Sequence, residues 1–183
     1  HVPQGVAPAV EAGIKRSLII TGEGLRLSYA AGVIKTLFAS GLTFQHMDGT
    51  SGGALNLAML LSGLKIDDIC ERWASLDMHD TVAFLPFKQA INLKEFSGSG
   101  SAEAFRTKVF LHLGIDIQKI RASEGLQATF NVGNFSKKMN QVVEYQDISE
   151  DFLIAGMSLP GVFPPVTIDG QVYLDSGFVQ DAN

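Results

Sequence analysis

The chain has 183 residues, a formal net charge of −5 and no basic tract, which leaves no electrostatic footprint for nucleic acid. Hydrophobic residues make up 46% of it, enough to fill a sizeable core and to argue against disorder. One cysteine, Cys70, excludes an internal disulfide, and no apolar run approaches the roughly 18 residues of a membrane-crossing helix. A soluble chain leaning slightly towards a reducing, cytoplasmic compartment is therefore expected.

His1 to Gly13 carries two prolines and small residues and reads as a loose lead-in without the order of a secretion signal. Residues 14–183 read as one domain. Ser17-Leu18-Ile19-Ile20-Thr21 is a short β-branched run, predicted as a buried strand. Gly22-Glu23-Gly24-Leu25-Arg26 then turns the strand into a helix whose apolar face holds Ala30, Val33, Ile34, Leu37 and Phe38, with Gly41 as its stop. Thr43–Met47 is a second strand candidate, running into Asp48-Gly49-Thr50-Ser51-Gly52-Gly53. The next helix, Ala54–Leu61, is apolar nearly all round and should be buried, with Gly63 closing it. Strand, turn and helix repeated twice predict an α/β protein with a mainly parallel central sheet between helical layers.

Asp67 and Asp68 are placed to cap a helix carrying Ile66, Ile69, Cys70, Trp73 and Leu76, with the cysteine in the core. Residues 77–100, hydrophobic and flanked by Ser97-Gly98-Ser99-Gly100, fit either a lid or an ordinary loop with a short helix. A helix over Ser101–Leu113 follows, then strands at Gln127–Val132 and Gln141–Tyr145 and a helix over Ile148–Met157. Val166–Leu174 reads as a hairpin turning on Asp169-Gly170.

Gly49-Thr50-Ser51-Gly52-Gly53, between a strand and a helix, has the Gly-x-Ser-x-Gly form of a nucleophile elbow. A nucleophilic serine must project above the sheet from a tight turn, and flanking glycines such as Gly49 and Gly53 let the neighbouring backbone pass. The helix that follows aims its positive end at the developing charge. Gly22–Arg26 holds the equivalent place after the first strand and could supply backbone N–H donors to the same oxyanion. Leu27 stands where a Gly-x-Gly-x-x-Gly nucleotide loop needs its third glycine, which disfavours that reading.

A serine nucleophile needs a base. His1 lies in the lead-in, His46 precedes the elbow on its own strand, His79 falls in the lid candidate and His112 ends a helix. None follows position 112, so a Ser–acid–His order fits badly. Asp175, after Val172-Tyr173-Leu174 and before Ser176-Gly177, can either face a cleft as the base or stabilise its own turn.

Taken together, these segments resemble the patatin-like phospholipase family. The likeness is collinear: Leu18–Arg26, the Ala31-Gly32-Val33 helix, the elbow Gly49–Gly53, Ser158-Leu159-Pro160-Gly161-Val162-Phe163-Pro164-Pro165, and Ile168–Asp175. It implies a three-layer α/β/α fold and a Ser–Asp dyad, with Ser51 as nucleophile, Asp175 as base and Gly22, Glu23, Gly24, Leu25 and Arg26 as the oxyanion loop. It also implies a glycerolipid or phospholipid ester substrate, transient contact with a membrane surface, and no metal or cofactor. Family members normally continue beyond the point that Asn183 corresponds to, so a longer chain is expected. Three positions depart from the family pattern: Glu23 replaces the middle glycine, Leu27 the glycine after the arginine, and Ser176 the glycine after the aspartate. A lipid-binding, catalytically silent protein on the same fold is the alternative, and an acyltransferase or thioesterase using the same serine is a third reading. The sequence leaves the oligomeric state open.

Overall fold

The computed structural model describes residues 1–8, 15–22, 26–76, 105–158 and 164–180. The first strand, β1 (Ser17–Ile20), leads into helix α1 (Leu27–Ala39); β2 (His46–Thr50) leads into α2 (Gly53–Leu61). The expected second strand starts three residues later and runs three further, because Met47 to Gly49 pair on both sides, with Leu18–Ile20 of β1 and with Ala128–Phe130. Pairing along the whole of His46–Thr50 overrides the local turn signal of Asp48-Gly49. Gly49 suits the strand for another reason: a Cβ there would lie 2.9 Å from the Ala54 Cα of α2.

Helix α3 (Ile66–Ser75) comes next, and Asp67 and Asp68 occupy its first turn. Neither side chain caps the helix; Lys65 holds the cap position, and Asp67 instead pairs with Lys35 of α1 at 2.8 Å. The predicted lid, 77–100, lies outside the described residues. The predicted helix ending at Leu113 is described from Phe105, as a wide π-helical stretch (Phe105–Phe110) followed by α4 (Leu111–Leu113). A short α5 (Ile117–Arg121), capped by Asp116, precedes an antiparallel hairpin of β3 (Gln127–Asn134) and β4 (Met139–Glu144). Helix α6 (Glu150–Gly156) starts at Ser149, whose hydroxyl accepts the Phe152 N–H, as serine does at helix starts. The hairpin β5 (Val166–Ile168) and β6 (Gln171–Leu174) turns on Asp169 and Gly170, both at positive φ as a two-residue hairpin turn requires. A last helix, α7 (Ser176–Gln180), follows directly.

The six strands form one mixed sheet, parallel across β1-β2-β3 and antiparallel at β3-β4, β3-β6 and β6-β5. On one face Leu18, Ile20 and Met47 are buried beneath α2, all nine of whose residues are buried, and Ala128, Phe130 and Val132 of β3 continue the same buried face, with α6 packed against β3. On the other face α7 lies over β3, where a Cβ at Gly133 would sit 2.6 Å from Val179. Helices on both faces of the sheet give the three-layer arrangement of the α/β class.

Residues 1–8 are not loose. His1 Nε2 pairs with the Leu61 carbonyl at 2.8 Å, the Gln4 side chain accepts the Ile66 N–H at 2.7 Å, and Val6 bridges to Phe44. These bonds satisfy groups at both ends of the α2–α3 connection, which explains why the segment is ordered against it. Among the described residues no helix is long and apolar enough to cross a membrane.

Candidate active site

The sheet topology brings two distant segments end to end. Strand β2 occupies one flank of β3 as far as Thr50, which pairs with Asn131; β4 occupies the other flank as far as Asn134. Strand β6 pairs with β3 at Gly133 and Asn134, so it lies on the β2 flank, beyond the point where β2 leaves the sheet. It runs antiparallel, with Leu174 opposite Gly133. The next residue of each strand, Ser51 from β2 and Asp175 from β6, therefore meets the other at the level of Val132.

There the Ser51 hydroxyl donates to Asp175 Oδ2 at 2.5 Å, the length of a charge-assisted O–H···O⁻ bond. Ser51 has φ of 53°, a left-handed conformation that a side-chain-bearing residue adopts at a cost. That conformation ends β2 and starts α2 within two residues: the Ala54 N–H already donates to the Ser51 carbonyl at 3.0 Å. The positive end of α2 thus begins beside the serine oxygen. Gly53 is required by close approach, since a Cβ there would lie 2.0 Å from the Ile20 carbonyl oxygen of β1.

Asp175 is 4% exposed and fixed by three bonds. Its N–H donates to the Ser158 carbonyl at 3.0 Å, its carbonyl accepts the Phe178 N–H at 3.2 Å, and its Oδ1 accepts the Gly177 N–H at 2.9 Å. The last of these occupies one carboxylate oxygen and leaves Oδ2 turned to Ser51. Ser176, buried at the start of α7, fits where the family has glycine.

The described histidines are engaged elsewhere. His1 bonds to Leu61, His46 Nε2 pairs with Thr129 Oγ1 at 3.1 Å, and His112 Nε2 pairs with the Arg72 carbonyl at 2.9 Å; His79 lies outside the described residues. Asp48, the carboxylate nearest the elbow in sequence, accepts from Thr129 (2.6 Å) and Asn131 (2.8 and 2.7 Å). Cys70 is half-buried against the core, and burial pushes its thiol up from the ordinary range. Among the described residues no cluster of three His, Cys, Asp or Glu side chains could hold a metal ion.

Of the predicted oxyanion loop, Gly22 and Arg26 are described, while Glu23, Gly24 and Leu25 lie outside the described residues. Gly22 abuts Ser51: a Cβ on it would fall 2.5 Å from the Ser51 Cβ and 2.7 Å from the Gly52 nitrogen. The model of the patatin-like phospholipase family matches residues 18–183. The chain belongs to that family. Among solved structures it is similar to the crystal structure of VipD from Legionella pneumophila, with a TM-score of 0.59 and 15% identity over 90% of this chain; the chain spans 46% of that one. At that identity the likeness is one of fold. No curated protein sequence matches the chain.

Within the patatin-like framework, the departure at Leu27 has a local accommodation. Its side chain is 5% exposed and packs over Gly52, where a Cβ would lie 2.2 Å from Leu27 Cδ2. The Leu27 carbonyl, at the start of α1, accepts the Asn56 side-chain N–H at 3.0 Å, and Asn56 Oδ1 accepts from Trp73 Nε1 of α3 at 2.8 Å. Asn56, 1% exposed, therefore ties the start of α1 to α2, the helix that follows Ser51. Sequence reasoning missed it. Its signal was a single amide in an otherwise apolar helix, where a buried polar group implies a partner. Beside the loop, a groove of about 170 Å³ opens between β1 and α1, lined by Thr21 and Arg26 at one end and by Ile19, Tyr29 and Val33 among its apolar residues.

Proposed function

We propose that this patatin-like chain is a lipid acyl hydrolase of phospholipase A or broad esterase type, working through an acyl-enzyme on Ser51 with Asp175 as its base. The observation that carries the reading is the 2.5 Å Ser51–Asp175 bond, with Asp175 Oδ1 held by Gly177 and the described histidines engaged elsewhere. Asp175 Oδ2 takes the hydroxyl proton as Ser51 Oγ attacks the ester carbonyl. The N–H groups of the Gly22–Arg26 loop and of the turn after Ser51 hold the oxyanion. Asp175 returns the proton to the leaving alcohol, and water then releases the acyl group by the same route. Family membership supports a lipid ester as substrate, and the apolar groove beside Gly22 is a suitable surface for an acyl chain. Such substrates are reached by transient contact with a membrane surface.

Ser51→Ala and Asp175→Asn should each lower hydrolysis of a short-chain nitrophenyl ester at least about a thousandfold, in line with loss of a nucleophile or its base elsewhere. A Ser51→Ala protein that kept the wild-type rate would overturn the proposal. Glu23, at the middle-glycine position of the loop, favours a second reading, a lipid-binding protein without turnover. Hydrolysis by the unmodified chain that is lost in both variants decides against it.

A further inference from the structure

Strand β3 overruns the elbow. Thr50 pairs with Asn131, and β3 continues to Asn134 before its chain turns through Phe135–Lys138 into β4. The β5–β6 turn emerges at the same end of the sheet, and the two are cross-linked: the Phe135 N–H donates to the Val172 carbonyl and the Val172 N–H to Ser136 Oγ, each at 2.9 Å. They form one rim past Ser51 and Asp175. On it Phe135 is 51% and Met139 49% exposed, and Phe178, on the helix that starts directly after Asp175, is 40% exposed. Between Phe135 and Met139 stand Lys137 and Lys138, both exposed and neither paired with a carboxylate among the described residues. The acidic side chain on the adjoining turn is Asp169.

Exposed aromatic and thioether groups flanking adjacent lysines match the physical profile of a bilayer interface: apolar side chains enter the acyl boundary while ammonium groups meet headgroup phosphates. The two lysines also run against the chain's net charge of −5, so this end can meet an anionic surface that the rest of the molecule would repel. We propose that the 135–139 turn, with Phe178, docks this protein on anionic phospholipid bilayers and presents the Ser51–Asp175 end of the sheet to the lipid. The inference rests on the lipid hydrolase reading and names the surface through which that site would meet its substrate.

The test uses the full chain and co-sedimentation with vesicles of phosphatidylcholine alone or mixed with phosphatidylglycerol. The protein should partition onto the anionic vesicles, and added salt should release it. Each lysine near such a surface strengthens partition about fivefold, so Lys137→Gln with Lys138→Gln should weaken it about 25-fold. Phe135→Ser with Met139→Ser should weaken it as well, and vesicle hydrolysis should fall in step. Nitrophenyl ester hydrolysis and the melting temperature should stay at wild-type values, which separates docking from folding and chemistry. Undiminished vesicle binding by both double variants would overturn the proposal. So would a wild-type chain that ignores vesicles but self-associates in sedimentation velocity, which would assign the rim to a second copy. Rim-dependent vesicle binding by a protein that hydrolyses no ester would support the docking surface while defeating the hydrolase reading.

Discussion

At φ of 53°, Ser51 carries a side chain through a conformation that costs about 1–2 kcal/mol in an L-residue. The surrounding structure enforces it, since β2 must end and α2 must begin within two residues. Ser51→Gly and Ser51→Ala both lose the bond to Asp175, so their difference isolates the Cβ. Ser51→Gly should be the more stable by about 1 kcal/mol, read by thermal or urea unfolding; a Ser51→Ala protein that is the more stable would mean that the turn is not strained. Ser51 was legible in the sequence because glycines, strand and helix surround it. Asp175 was legible as a residue but ambiguous in its surroundings: the Gly177 N–H on Oδ1 satisfies the turn-stabilising reading, while Oδ2 faces Ser51. One carboxylate makes both contacts, which composition and spacing could not reveal.

The elements meet through pairings that no local signal announces. Strand β2 extends through Asp48 and Gly49 because β1 and β3 flank it and because the Asp48 carboxylate is satisfied by Thr129 and Asn131. Strand β6 lies in line with β2 along β3, and this places the end of a hairpin against a serine 124 positions earlier. The five-residue helix α7 was hidden by its shortness and by Gly177 in its first turn. The clamp at Asn56 joins α1, α2 and α3 through two bonds inside the core. Asn56→Ala would strand the Leu27 carbonyl and the Trp73 N–H and should cost about 2–3 kcal/mol in unfolding free energy. If residues 22–26 hold the oxyanion as proposed, freeing the start of α1 should lower ester turnover of the folded variant more than its ester binding. A loss of stability with turnover unchanged would restrict Asn56 to a structural role.

Across the whole molecule, the repeated βα units and buried α2 were readable as an α/β sheet protein, and the collinear motifs as patatin-like, which the family match over residues 18–183 bears out. The antiparallel half was legible only where a turn signal such as Asp169-Gly170 fixed a hairpin; its attachment to β3 depends on long-range pairing. The lead-in read as loose because its composition is loop-like, whereas residues 1–8 are held by side-chain bonds to Leu61 and Ile66. The central claim is that this arrangement makes Ser51 a nucleophile without a histidine. Reaction of the full chain with a fluorophosphonate probe, followed by peptide mapping, tests it most directly. The prediction is one adduct per chain, on Ser51, absent from Ser51→Ala and sharply slowed in Asp175→Asn. A folded chain that takes no label, or takes it at another serine, would contradict the claim.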